Sequence, residues 1–193
     1  IEGDLLGRDG LLDNFREEVA VRRSAGLYNF LYMLAWVAMV VLVLLAMFSL
    51  SAVMGMMSTG FNIMPVITLV VFGGLAFLIY RYKDELKSEY EYVFTNGDLD
   101  VSKVLNNSRR RYLTSLTMKN VEAAGPVNGA SFQRYVTMQG IKKHNWFLNR
   151  DAHLYYFYFV KSGVKHLMVA ELTNEMVDLV KRPNYMNYGV WQA

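Results

Sequence analysis

From residue 24 to residue 80 the chain carries no Asp, Glu, Lys, Arg or His. A bilayer interior penalises each central charge by about 3 kcal/mol, and a long uncharged run is the pattern that such a solvent selects. Two apolar stretches lie within the run, at about 27–50 and 61–80. Each supplies the roughly 20 residues with which a helix crosses about 30 Å of hydrocarbon. Between them Ser51, Gly55, Ser58, Thr59 and Gly60 predict a turn. Pro65 falls in the first turn of the second helix, where a missing N–H is harmless. The pattern therefore predicts two spans joined as a hairpin over residues 27–82. A cleaved signal peptide does not fit, because the first stretch is too long and a segment of mixed charge precedes it.

In that leading segment, residues 1–26, Leu5, Leu12, Phe15 and Val19 fall on one face of a helix. We expect an amphipathic cytosolic helix here, either lying on the inner leaflet or clasping the rest of the protein. The chain begins at Ile1 rather than Met, so some N-terminal residues are expected to be missing or processed. Beyond the hairpin the pattern changes to period two. Tyr90–Thr95, Leu99–Leu105 and Tyr112–Met118 read as strands, joined by turns at Asn96-Gly97 and Asn106-Asn107-Ser108. His153–Val160 and Val164–Ala170 form a second strand pair about Ser162-Gly163, and Thr173 or Asn174 caps a final helix carrying Met176, Leu179 and Val180. The connection 122–152 is longer than an ordinary loop. Its Phe132, Tyr135, Trp146 and Phe147 stand among Arg134, Lys142, Lys143 and Arg150, as in a docking surface. Alternatively, residues 133–139 add a strand, with Lys142–Asn145 as its turn.

Charge sets the orientation. Arg22, Arg23, Arg81, Lys83 and Lys87 flank the spans, whereas the loop between them has no Lys or Arg. The positive-inside bias then makes this a multi-pass protein of the bacterial plasma membrane with both termini cytoplasmic. A net charge of +3 is too weak for a dedicated nucleic-acid binder, so no nucleic-acid partner is expected.

Candidate chemistry is sparse. With no cysteine, disulfides, thiolate metal sites and cysteine nucleophiles are excluded together. No His-Glu-x-x-His pair, phosphate loop or Gly-x-Ser-x-Gly elbow occurs. His153 and His166 are placed to face each other across the last hairpin, but without a carboxylate they make a poor zinc site. Seven of the 12 Met residues lie between Met33 and Met64 with no His beside them, which reads as apolar filling rather than copper ligation. We expect no cofactor, no metal and no catalytic residue. An uncharged membrane segment also argues against ion conduction.

The run Tyr90-Glu91-Tyr92-Val93-Phe94-Thr95-Asn96-Gly97-Asp98-Leu99-Asp100-Val101, followed by Arg109-Arg110-Arg111-Tyr112-Leu113, resembles a family of small Firmicutes membrane proteins. Its members have two spans and a cytosolic domain similar to bacterial pleckstrin-homology-like modules; the likeness extends over about residues 30–182 and includes Glu171–Met176. The resemblance implies a membrane α-helical hairpin plus a β-rich (α+β) cytosolic domain over 83–193, with a bent antiparallel sheet or partial barrel and a C-terminal helix. It lends no activity. Two residue groups are candidates for binding lipid or a partner: Lys103 with Arg109, Arg110 and Arg111 at one turn, and Lys142, Lys143 and Trp146 in the long connection. The function expected is a membrane-anchored, non-enzymatic interaction or accessory module at the inner leaflet, held by the lipid bilayer and joined to a protein partner or to further copies of itself. The alternative is an anionic-lipid sensor using the basic turn.

Overall fold

The first uncharged stretch forms α1, Ala25–Thr59, and the second forms α2, Met64–Tyr82. A computed structural model describes residues 14–192, apart from the side chains of 57–59. Both helices are long and apolar enough to cross a membrane. α1 runs nine residues past the expected end of its span. Ala and Met outweigh Ser and Gly in 51–59, and the Ser49 and Ser51 hydroxyls donate to the carbonyls of Leu45 and Phe48 (3.0 and 2.8 Å). Gly60, at φ +94°, ends the helix. Asn62 Oδ1 then accepts from the Met64 N–H (3.0 Å), and Pro65 follows in the first turn of α2.

Two compact units emerge. One comprises residues 24–88 with the short turn 105–109. Its charges cluster just after α2, in a 3₁₀ turn at Lys83–Lys87. The Lys83 ammonium lies 2.9 Å from Asp84 Oδ1 and over the rings of Tyr32, Trp36 and Tyr80 at 4.8–5.5 Å. Arg109 meets the other Asp84 oxygen at 2.7 Å, and the Asn106 amide donates to the Tyr32 hydroxyl at 3.2 Å. The expected boundary at residue 83 is therefore displaced, because this ion-paired turn belongs with the helices.

The second unit holds the remaining described residues on both sides of the hairpin. Its first sheet has the order β1-β2-β3-β4: Phe15–Ala20, Ser88–Thr95, Asp98–Leu105 and Arg109–Thr117. Its second has the order β5-β7-β8-β6: Val121–Pro126, Leu154–Lys161, Val164–Glu171 and Lys142–Trp146. The predicted turns at Asn96-Gly97, Asn106-Asn107 and Ser162-Gly163 all adopt positive φ, the geometry that twisted two-residue hairpins need. Tyr92, Phe94, Leu99 and Val101 from the first sheet share a core with Phe157, Met168 and Ala170 from the second. Helix α4, Asn174–Val180, closes it with Met176 and Val180, and Thr173 caps the helix by accepting from the Met176 N–H (3.3 Å).

Three expectations are corrected. Residues 15–20 are not helical: β1 pairs antiparallel with β2, Phe15 opposite Thr95 through Ala20 opposite Tyr90. Phe15 and Val19 stay exposed, while Arg16, Glu18 and Ala20 turn inward, so the apolar residues misreport the buried face. Leu5 and Leu12 lie outside the described residues. Residues 130–136 form helix α3 instead of a strand, and Lys142–Asn145 lies in β6 instead of a turn. Tyr135 packs against Tyr156 and Tyr158 (5.6 and 4.9 Å between ring centres), building a second core on the outer face of the second sheet. This explains the near-continuous apolar run of β7, which is covered on both faces.

Candidate functional site

The basic residues singled out in the sequence fall on separate sheets. Lys103 is on β3 and Arg109, Arg110 and Arg111 begin β4, whereas Lys142, Lys143 and Trp146 are on β6. The first group is partly neutralised: Arg109 pairs with Asp84, and Arg110 with Glu91 at 2.6 Å. Lys142 and Lys143 are exposed along an edge strand, where charge discourages pairing with other chains. Trp146 is half-buried against the main core, its ring tilted against that of His144 with centres 4.8 Å apart. Of the aromatic anchors expected in the long connection, Tyr135 is consumed by internal packing and Phe132 lies against Tyr156 at 5.5 Å.

The histidine pairing differs from expectation. β6 runs parallel to β8 and sets Lys142 opposite His166. His144 Nε2 thereby comes within 2.9 Å of His166 Nδ1, one ring donating and the other accepting, while His153 stays outside this pair. His166 also stacks on Phe159 at 5.2 Å. Burial holds both imidazoles below their usual pKa, helped at His144 by His166 and Lys142 and at His166 by Lys142 and Lys161. The arrangement favours neutral rings. Among the described residues, no three His, Cys, Asp or Glu side chains gather as metal ligands.

A groove of about 450 Å³ lies between β1 and the start of α4, lined by Glu18, Ala20, Arg23, His153, Glu171 and Thr173. Its carboxylates are already committed. Glu18 accepts from the Thr173 N–H (3.0 Å) and hydroxyl and pairs with Arg16 at 2.8 Å. Glu171 accepts from the Asn149 side-chain amide (2.8 Å) and from the N–H groups of Leu148 and Asn149 (3.2 and 3.1 Å). With three such contacts each, Glu18 and Glu171 tie neighbouring backbone and side chains together. Tyr92, fully buried, donates to the Trp146 carbonyl and accepts from the Glu171 N–H at 3.3 Å, and burial raises its pKa far above the ordinary tyrosine value. It joins β2 of one sheet to β6 and β8 of the other. The Tyr92 contacts and those of Glu18 with Thr173 escaped sequence reasoning because each joins residues more than 50 positions apart; the one local hint was a run of polar residues, Arg16 to Glu18, between apolar ones.

No curated protein and no solved structure matches the chain. The family model described as Bacterial PH-like domain (DUF6106) matches residues 13–188, a stretch that takes in β1, both long helices, both sheets and α4. With two sheets around one core and a closing C-terminal helix, the chain belongs to this family of bacterial PH-like domains.

Proposed function

We propose that this protein is a membrane-anchored, non-enzymatic interaction module. In this reading α1 and α2 cross the bacterial plasma membrane as a hairpin, both ends lie in the cytoplasm, and the two-sheet domain at the inner leaflet engages a protein partner or a second copy. One observation carries it: β1 and β2 are neighbours in a single sheet, yet the entire hairpin lies between them in the chain. A chain that leaves that sheet through α1 and returns through α2 crosses an even number of times, which supports a common side for both ends. The basic flanks at Arg22, Arg23, Arg81, Lys83 and Lys87 favour the cytoplasmic side. Recognition of anionic lipid through Lys103 and Arg109 to Arg111 has weaker support, since Asp84 and Glu91 already neutralise two of these cations.

The test is carbonate extraction with protease accessibility of the full chain. The protein should stay in the membrane pellet, shielded in intact cells and cleaved in inverted vesicles. Recovery in the aqueous fraction, or cleavage from outside, refutes the reading. Flotation with liposomes that depends on anionic lipid and weakens in salt would shift the assignment to lipid recognition.

A further inference from the structure

β5 is the last strand of its sheet. One edge pairs with β7, and the other would present unpaired backbone groups. Residues 190–192 cover that edge. The Ala124 N–H donates to the Val190 carbonyl at 3.0 Å, and the Gln192 N–H donates to the Ala124 carbonyl at 2.7 Å. Together they make a parallel bridge between Ala124 and Trp191. Val190 is buried, the Trp191 ring lies 5.8 Å from that of Tyr155, and the Tyr156 hydroxyl donates to Gln192 Oε1 at 3.1 Å. Gly125 supplies the clearance: a Cβ there would stand 2.1 Å from the Gln192 carbonyl oxygen. Its φ is not positive, so close approach of another backbone is what its lack of a side chain serves.

A short exposed linker precedes this segment, held by the Asn187 amide donating to the Lys119 carbonyl at 3.0 Å. Upstream, Met186 is buried and Tyr185 packs edge-on against Phe94 at 5.2 Å. Between that anchor and Val190, Asn187, Tyr188 and Gly189 are exposed, and Gly189 adopts φ +78°. Rotation there would free residues 190–192 and leave the anchor seated.

We propose that the outer edge of β5 is a strand-addition site for an extended segment of a partner protein, and that residues 187–192 occupy it in cis as a competitor. The occupant shows the chemistry recognised: a parallel strand carrying an aliphatic residue, then an aromatic ring, then an amide. A second copy is the poorer occupant, because a three-residue hinge reaches only about 10 Å, too little to pass the tail to another domain while Met186 stays anchored. The proposal deepens the interaction reading and rests on it.

The test uses the full-length chain in detergent and a fluorescent peptide with the sequence of residues 187–192. Val190→Asp with Trp191→Ala should release the tail, and this variant should bind the peptide at least tenfold more tightly than the wild type. Adding Gly125→Ala should abolish that binding; with the tail displaced, the next neighbour of its Cβ is the Tyr156 ring at 3.4 Å, an ordinary van der Waals distance. Equal affinity in wild type and variant, no binding to the released variant, or binding that survives Gly125→Ala overturns the proposal. Should the released variant fail to fold, hydrogen exchange in the wild type decides: the Ala124 amide must exchange at least 100-fold faster than the core amide of Met168, and exchange of both at one global rate overturns the site. A wild-type dimer with exchanged tails overturns it as well. A protein that copurifies equally with wild type and with Gly125→Ala removes the β5 site but leaves the anchored module standing.

Discussion

Replacing Asn149 by alanine deletes three hydrogen bonds at once. Its side-chain amide donates to the Val21 carbonyl and to Glu171 Oε1, each at 2.8 Å, and its oxygen accepts from the Arg23 N–H at 2.9 Å. Asn149 is buried, so the groups left behind are poorly rehydrated. At about 1 kcal/mol for each neutral bond and somewhat more for the one to a carboxylate, the loss should be about 3 kcal/mol. That corresponds to a fall in Tm of roughly 10 °C for a domain of this size. Asn149→Asp separates hydrogen bonding from packing, since it keeps shape and the acceptor for Arg23 but turns a carboxylate oxygen toward Glu171 and the Val21 carbonyl. At pH 7 two carboxylates then oppose each other. On acidification the like-charge repulsion is relieved when one of the pair takes a proton, and that neutral group can donate where the amide did, so the deficit of this variant should shrink as the pH falls. The assay is urea denaturation of the full chain in detergent at pH 7 and pH 4, followed by tryptophan fluorescence. A loss below about 1 kcal/mol for Asn149→Ala, or a pH-independent deficit for Asn149→Asp, would refute the assigned network.

Three further outcomes are expected. Because His144 and His166 are held neutral, the unfolded chain takes up protons first; stability should be complete above about pH 6.5 and fall as the pH drops below it, and melts of His144→Gln with His166→Gln should lack that slope. Gly97 and Gly163 both have positive φ, but a Cβ at Gly97 would press on the Tyr185 ring at 2.8 Å while that at Gly163 meets open space. Each alanine should cost about 1 kcal/mol, with the melt of Gly97→Ala lower than that of Gly163→Ala. Asp84→Asn leaves the buried Lys83 ammonium without its counter-charge; the loss should be about 3 kcal/mol, read as thermal aggregation in detergent, and Lys83→Met in the same chain should restore it.

The elements legible in the sequence are those whose cause is local. An uncharged stretch, three two-residue turns with Asn or Gly, and a Thr cap declare themselves within a few residues. β1 does not, because its inward face is held by polar contacts of Glu18 with Thr173 and Arg16 with Glu175 while Phe15 and Val19 face out. Lys142–Trp146 becomes a strand only because β8 offers a free parallel edge. The same distance hides the site residues: Arg109 and Arg110 read as a cationic tip until Asp84 and Glu91 are brought beside them. Nothing local announces Gly125 as a clearance, since the chain that needs the space arrives some 65 positions later.

The pairing of Ala20 with Tyr90 also dictates a timetable. When β1 leaves the ribosome its partner has not been translated, and closing a flexible loop of roughly 70 residues would cost about 4 kcal/mol in chain entropy. A helical pair formed beforehand brings the loop ends together and removes much of that cost. The nascent sheet can therefore be completed only after residues 24–88 have doubled back, so a polypeptide stalled before Tyr90 would leave Phe15–Ala20 without a neighbour.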